Sequence, residues 1–256
     1  MGAMDLGLSD RVYIVTGGSR GLGRACADAL VAEGARVVVS ARDAEAVKSA
    51  AEQLGTERAA GVTADNGDPQ TPARLIATAR ERFGRVDGAL VSVGGPPSGA
   101  TAAMTDDQWR AAFDSVFLGA VRLANEVAAA AGEGGSIAFV LSSSVRVPLA
   151  NMAISNGLRP GLAGVAKTMA NELGPRGIRV NTLLPGSIAT DRLRDLAAMK
   201  GQDYDEVRRT TEARIPLRRY GDPEELGRVA AFVLSPAASY ITGSMLNIDG
   251  GLIPSI

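Results

Sequence analysis

The sequence predicts an α/β fold in which one doubly wound parallel sheet carries helices on both faces. Three observations predict it. Short, nearly continuous apolar runs alternate with longer helical stretches along the whole chain. A glycine-rich turn joins the first run to the first helical stretch. No linker, repeat or low-complexity segment divides the 256 residues, so a single domain over 1–256 is expected.

The elements follow in order. Residues 11–16 (RVYIVT) read as a strand and 21–33 as a helix ended by Gly34. A second strand is expected at 36–40, then a helix at 43–54 with Asp43 as its N-cap and Gly55 as its stop. A third strand (58–63), a helix (69–83) and a fourth strand (86–93) come next, the last ending in Gly94-Gly95-Pro96-Pro97, which cannot extend it. One long helix is expected from about 105 to 131, then a fifth strand at 136–141. A polar loop and a helix ending at Leu173 lead to a sixth strand at 178–184. A helix at 223–234 and a short strand at 245–248 close the chain. Residues 190–221 show no clear periodicity. They follow the sixth strand, at the carboxyl edge of the sheet where ligands bind in this architecture, and read as a substrate-side lid. Their eight Arg and Lys against six Asp and Glu are too small an excess to argue for an acidic carrier protein.

Composition excludes several classes of function. The net charge of −1 gives no basic surface for nucleic acid or membrane. No apolar run approaches the ~20 residues of a membrane helix, and the N-terminus lacks the pattern of a signal peptide. There is no His, which removes Ser-His-Asp and Cys-His nucleophile schemes and His-based metal sites, so no metal is expected. The single cysteine, Cys26, lies in an apolar helical stretch and reads as a core residue. A reducing, cytoplasmic location fits one cysteine that cannot form an intrachain disulfide.

The turn after the first strand reads Thr16-Gly17-Gly18-Ser19-Arg20-Gly21-Leu22-Gly23. Gly17 permits the tight turn, Gly21 lets the backbone approach a pyrophosphate, and Gly23 lets the helix pack close to the strand. Ser19, Arg20 and Leu22 complete the loop, and the helix start offers free N–H groups to phosphate oxygens. This is a Rossmann-type dinucleotide site in its required strand–turn–helix context. At the end of the second strand stands Ser40-Ala41-Arg42, without the carboxylate that bonds an NAD ribose there. Arg42 and Arg20 suit a 2′-phosphate, which favours NADP(H) over NAD(H). Asp65 and Asn66, after the third strand, are candidates to hold the adenine, or they simply make a turn.

Over essentially its whole length the chain resembles the short-chain dehydrogenase/reductases, in the branch of the 3-oxoacyl-(acyl-carrier-protein) reductases. The resemblance rests on residues 16–23, Asp65, the run 167–181 (KTMANELGPRGIRVN), Pro185-Gly186, and Thr242-Gly243 with Asp249-Gly250-Gly251. It implies a seven-stranded parallel sheet, a nicotinamide cofactor, and a homotetramer or homodimer built through the two long middle helices. It also implies that Pro185, Gly186, Ile188 and Thr190 line the nicotinamide, with Gly94 in the loop after the fourth strand. The family's chemistry uses Asn, Ser, Tyr and Lys. Counting back from Lys167 puts Ser155 at the Tyr position and Arg159 at the Lys position, and the Asn falls on Val116. The family Ser falls on Ser142 by spacing, with Ser143 beside it.

These exchanges bear on mechanism. A hydride reaches a carbonyl productively only if the oxygen receives a proton or equivalent stabilisation. A serine hydroxyl is far less acidic than tyrosine, and arginine keeps its charge but does not shuttle protons. Pro160 disfavours helical geometry at Arg159, so a helix that begins at Pro160 or kinks there is expected. Tyr204, in the lid region, is a second source for the proton. Two readings follow. One is an NADP(H)-dependent oxidoreductase acting on a small carbonyl compound or alcohol, a 3-oxoacyl thioester among them, with Ser142, Ser155 and Arg159 in the altered site. The other is an NADP(H)-binding relative without turnover, a sensor or a partner subunit.

Overall fold

The computed structural model describes residues 5–199 and 201–255. Seven strands form where apolar runs occur: β1 (Val12–Thr16), β2 (Arg36–Ala41), β3 (Ala59–Thr63), β4 (Gly88–Ser92), β5 (Ser136–Val140), β6 (Arg179–Pro185) and β7 (Met245–Ile248). All pair in parallel, in the order β3-β2-β1-β4-β5-β6-β7. The chain direction across the sheet reverses between β1 and β4, so a crevice opens at their carboxyl ends.

The helices are α1 (Gly21–Ala32), α2 (Ala44–Leu54), α3 (Thr71–Phe83), α4 (Asp106–Ala112), α5 (Gly119–Ala130), α6 (Ala153–Leu173), α7 (Asp191–Met199), α8 (Tyr204–Glu212) and α9 (Pro223–Leu234). Alternation along β1 explains the two layers. Val12 and Ile14 point into the core shared with α3, α5 and α6, through Leu75, Leu123 and Leu162. Tyr13 and Val15 point into the core shared with α1, α2 and α9, through Leu30, Val47 and Leu226. Full burial of each such aliphatic side chain contributes roughly 1.5–3 kcal/mol. Among the described residues no helix is long and apolar enough to cross a membrane.

Three sequence expectations are corrected. The long middle helix is not continuous: a π-helical turn, Phe113–Leu118, separates α4 from α5. It lies where the helix meets the β3 loop, at Gly119, whose absent Cβ would sit 2.0 Å from the Asn66 carbonyl oxygen. The helix does not begin at Pro160, because α6 runs through it from Ala153. The N-terminal turns are held by tertiary contacts. The Asn156 side chain accepts from the Leu149 N–H (3.0 Å) and donates to the Leu149 carbonyl (2.8 Å). Gly157 and Gly161 present bare backbone to Trp109 and Phe117, so they admit aromatic rings against the helix. Residues 190–221 are not irregular but contain α7 and α8; Lys200 lies outside the described residues.

One motif residue has a structural task. Buried Arg179, at the start of β6, donates from Nη1 to the Val233 carbonyl (2.7 Å) and from Nη2 to those of Leu234 (3.2 Å) and Ser235 (2.9 Å). These are carbonyls at the C-terminal end of α9, which no further helical turn can satisfy. Arg179 thus fastens α9 to the sheet.

Candidate active site

The phosphate turn is fixed to both neighbouring strands. The Thr16 hydroxyl donates to the Ser92 carbonyl (2.8 Å) and accepts from the Ser92 N–H (2.9 Å), clamping the ends of β1 and β4 together. The Gly18 N–H donates to the Ser40 carbonyl (3.1 Å) at the end of β2. Gly17 has φ +62°, and a Cβ at Gly23 would lie 2.3 Å from the Gly17 carbonyl oxygen. Only glycine closes a turn this tight onto a helix start. Among the described residues no side chain caps α1 and no acid stands in its first turn. Its leading N–H groups carry the positive end of the helix dipole. Thr190 comes from the far side: its Cγ2 is the nearest atom, at 3.9 Å, to where a Gly21 Cβ would stand.

At the end of β2 the nearest carboxylate is already engaged. Asp43 accepts from the Ala46 N–H (3.0 Å) as the N-cap of α2. Arg42 and Arg20 are exposed, and neither enters an ion pair among the described residues. Asp65 accepts from the Gly67 N–H (2.8 Å), the turn chemistry expected of Asp-Asn-Gly, and Asn66 packs its carbonyl against Gly119. After β6, the Gly186 N–H donates to the Ile248 carbonyl (3.0 Å) of β7, and buried Ile188 bridges to Gly221.

Beyond β5 the chain makes a short 3₁₀ turn, Ser143–Val145. Ser142 caps it, its Oγ accepting from the Ser144 N–H (3.1 Å). The buried hydroxyl of Ser144 pairs with the buried hydroxyl of Ser155 on α6 at 3.2 Å. Ser142 and Ser155 are thus near in the chain's course but not bonded; Ser144 stands between their roles. One helical turn on, Arg159 shares the Ser155 face of α6 and is 6% exposed. It donates from Nη1 to the carbonyls of Val140 (3.2 Å) and Leu141 (2.9 Å), at the end of β5. Burial, with Arg192 adding to it, pushes the Arg159 guanidinium down to about 10, so it remains a cation at neutral pH. Val116, on the π-helical turn, is buried and apolar.

The glycine turn follows β1 and the hydroxyl pair stands beyond β5, both at the carboxyl ends of their strands. Residues 17–253 match the family described as enoyl-(acyl carrier protein) reductase. The chain belongs to the short-chain dehydrogenase/reductase family. It is 35% identical to an uncharacterized oxidoreductase of Mycobacterium tuberculosis (strain CDC 1551 / Oshkosh), over 96% of this chain and 93% of that protein. It is 32% identical to the 3-oxoacyl-[acyl-carrier-protein] reductase of Salmonella typhimurium, over 94% and 97%. Among solved structures it is similar to L-sorbose reductase from Gluconobacter frateurii, crystallised with NADPH and L-sorbose. That likeness has a TM-score of 0.91 at 29% identity and covers 99% of this chain and all of the other.

In this short-chain dehydrogenase/reductase three of the four tyrosines pack against other groups. Tyr13 is buried and donates to the Leu234 carbonyl (3.1 Å), and burial pushes its phenol up to about 12. Tyr204 lies under the Arg194 guanidinium (4.5 Å) in the packing of α8 on α7, and Tyr220 under Arg208 (5.3 Å). Tyr240 is exposed. Two polar residues of the region escaped the sequence reading. Ser144 was legible only as one of three consecutive serines; spacing pointed to its neighbours. Arg192 reaches back from α7 to the loop after β4, where Nη2 donates to the Pro96 carbonyl (3.2 Å) and the guanidinium lies on Gly95. Nothing in sequence spacing marks that approach.

Proposed function

We propose that the protein is an NADP(H)-dependent oxidoreductase that interconverts a small carbonyl compound and its alcohol, with Ser155 and Arg159 in place of the family's Tyr and Lys. The observation that carries this reading is the buried Ser144–Ser155 hydroxyl pair beside a buried, ion-pair-free Arg159 at the end of β5. The residues present fit a dinucleotide, because the close approach of Gly17 and Gly23 and the uncapped start of α1 form an anion cradle. Residues 17–23 would hold the pyrophosphate, with Arg42 and Arg20 at the 2′-phosphate and Asp65 and Asn66 beside the adenine. Gly94, Pro185, Gly186, Ile188 and Thr190 would line the nicotinamide end. When bound, NADP(H) supplies or accepts the hydride.

The chain's own residues then handle the substrate oxygen. Ser155 Oγ, oriented by Ser144, donates a hydrogen bond to the oxygen as negative charge develops on it. Ser142 holds the 3₁₀ turn that positions Ser144. Arg159 lowers the cost of that charge through its field in a site largely closed to water. Neither hydroxyl is acidic enough to give up its proton outright, so the proton reaches the oxygen from water through the pair. Helices α7 and α8 close over the substrate as a lid. The NADPH complex of L-sorbose reductase and the 3-oxoacyl reductase relative support a nicotinamide cofactor and a carbonyl substrate. A second reading, nucleotide binding without turnover, is favoured by Val116, which offers no polar group at the π-helical turn.

Fluorescence titration with NADPH and NADH, followed by single-turnover oxidation of NADPH against small ketones, quinones and 3-oxoacyl thioesters, tests both. Tighter binding of NADPH than NADH, with turnover, is expected. Binding without turnover across the panel supports the second reading, and binding of neither nucleotide overturns both.

A further inference from the structure

We propose that the substrate is an anion, a carbonyl compound bearing a carboxylate, and that Arg192 with Arg159 recognises it. This rests on the oxidoreductase reading above and names the substrate class of the same site.

Two guanidinium groups stand beyond the ends of neighbouring strands. Arg159 reaches from α6 to the end of β5. Its Nη1 is used by two backbone carbonyls, and its Nε and Nη2 make no hydrogen bond among the described residues. Those two nitrogens are not sealed in the interior, since the one fully enclosed, unpartnered side-chain nitrogen or oxygen among the described residues is Arg122 Nη1. Arg192 comes down from α7 onto Gly95 and Pro96, in the loop that continues β4, the strand next to β5. It is near enough to depress the proton affinity of Arg159.

Neither arginine has a carboxylate partner among the described residues, although nine ion pairs occur elsewhere. A buried cation without a counter-charge is costly, and a second cation beside it raises the cost. A bound anion removes the cost for both at once. The guanidinium fork fits a carboxylate with two parallel hydrogen bonds. The nucleotide phosphates do not fill this role in the proposed pose. Their cradle is at the β1 turn and the start of α1, and the 2′-phosphate arginines stand at the end of β2, on the other side of β1 from β4 and β5. A carboxylate held by Arg192 leaves the substrate carbonyl to reach the Ser144–Ser155 pair.

Binding, not turnover, tests this. Acetoacetate, levulinate and phenylpyruvate, and the methyl ester of each, are titrated calorimetrically into the wild-type protein with and without saturating NADP⁺, which cannot reduce them. At least one acid is expected to bind tenfold or more tightly than its ester. Arg192→Gln is expected to abolish that preference with the NADPH dissociation constant unchanged, and Arg192→Lys to restore part of it. Equal affinity for acid and ester, no binding of any acid, or a preference that survives Arg192→Gln overturns the proposal. Acid preference in a protein that binds no NADPH would keep the anion site and overturn the oxidoreductase reading instead.

Discussion

The hydroxyl oxygens of Ser144 and Ser155 lie 3.2 Å apart, both buried, one on the turn after β5 and one on α6. Either can donate to the other, so in either orientation one hydroxyl proton is not used within the pair. Removing either member disables the same unit. Ser144→Ala and Ser155→Ala are each expected to lower the single-turnover rate by about 10²-fold, as loss of one preorganised oxyanion donor does. The double variant should be little worse than either single one, because the two effects belong to one interaction. Rates that multiply in the double variant would show two independent roles. NADPH affinity, read by fluorescence, should not move.

At the end of β2 the Asp43 carboxylate is held by the Ala46 N–H, and Arg42 has no acid partner among the described residues. Arg42→Ala is expected to weaken NADPH binding about 10- to 100-fold, as loss of a charge-assisted hydrogen bond worth about 1.5–3 kcal/mol requires. NADH binding should change less than threefold (roughly 0.6 kcal/mol). Equal losses for the two nucleotides would place Arg42 away from the 2′-phosphate.

Arg159 titrates at about 10 where an unburied arginine sits near 12.5. Its charge is therefore lost from the native protein before it is lost from the unfolded chain. Between those values the unfolded state binds more protons, so this group's contribution to stability rises with pH; below about 10 it is a constant cost. Catalysis should run the opposite way. Single-turnover rates measured from pH 7 upward are expected to fall as the pH passes about 10 and the cation disappears. A rate that holds steady through that range in protein shown to be folded by circular dichroism would remove Arg159 from the chemistry. Arg159→Met, which deletes an unpaired buried charge, should unfold within about 1 kcal/mol of wild type or later, while losing most turnover.

Arg179 is a control of a different kind. Its donors satisfy three carbonyls at the end of α9. Arg179→Met takes a donor from each, leaving Leu234 to Tyr13 and Val233 to Ser136, and is expected to cost about 1–3 kcal/mol. That appears as a lower urea midpoint at an unchanged slope. The folded fraction should bind NADPH with wild-type affinity; a selective loss of binding at full stability would contradict a purely structural role.

The alternation of strand and helix, the parallel sheet and the glycine turn were legible in the residues themselves, because they depend on local pattern. Runs such as VYIVT and VVV leave no polar face, so they demand cover on both sides. Asp43 and Gly55 mark the ends of α2 by chemistry that acts within a few residues. The boundaries of β7 and α9 fall where the pattern placed them. What the pattern misjudged was decided at a distance. Pro160 looks like a break when only its neighbours are considered. Asn156 on Leu149, and two aromatic rings on Gly157 and Gly161, hold its helix together. The π-helical turn answers to the β3 loop, far away in sequence.

The same division runs through the site. Family spacing alone placed Ser155 and Arg159 on one helical face. Which serine meets Ser155 depended on how a three-residue 3₁₀ turn presents its side chains, with Ser142 taken as its cap and Ser144 left to bond. That Arg192 crosses to Pro96 depended on where α7 lies over the sheet. Local sequence determines which elements form and which residues each offers, because those choices turn on contacts a few residues apart. Only tertiary packing decides which offered groups meet, because buried polar atoms take the partners that the surrounding elements bring within hydrogen-bond reach.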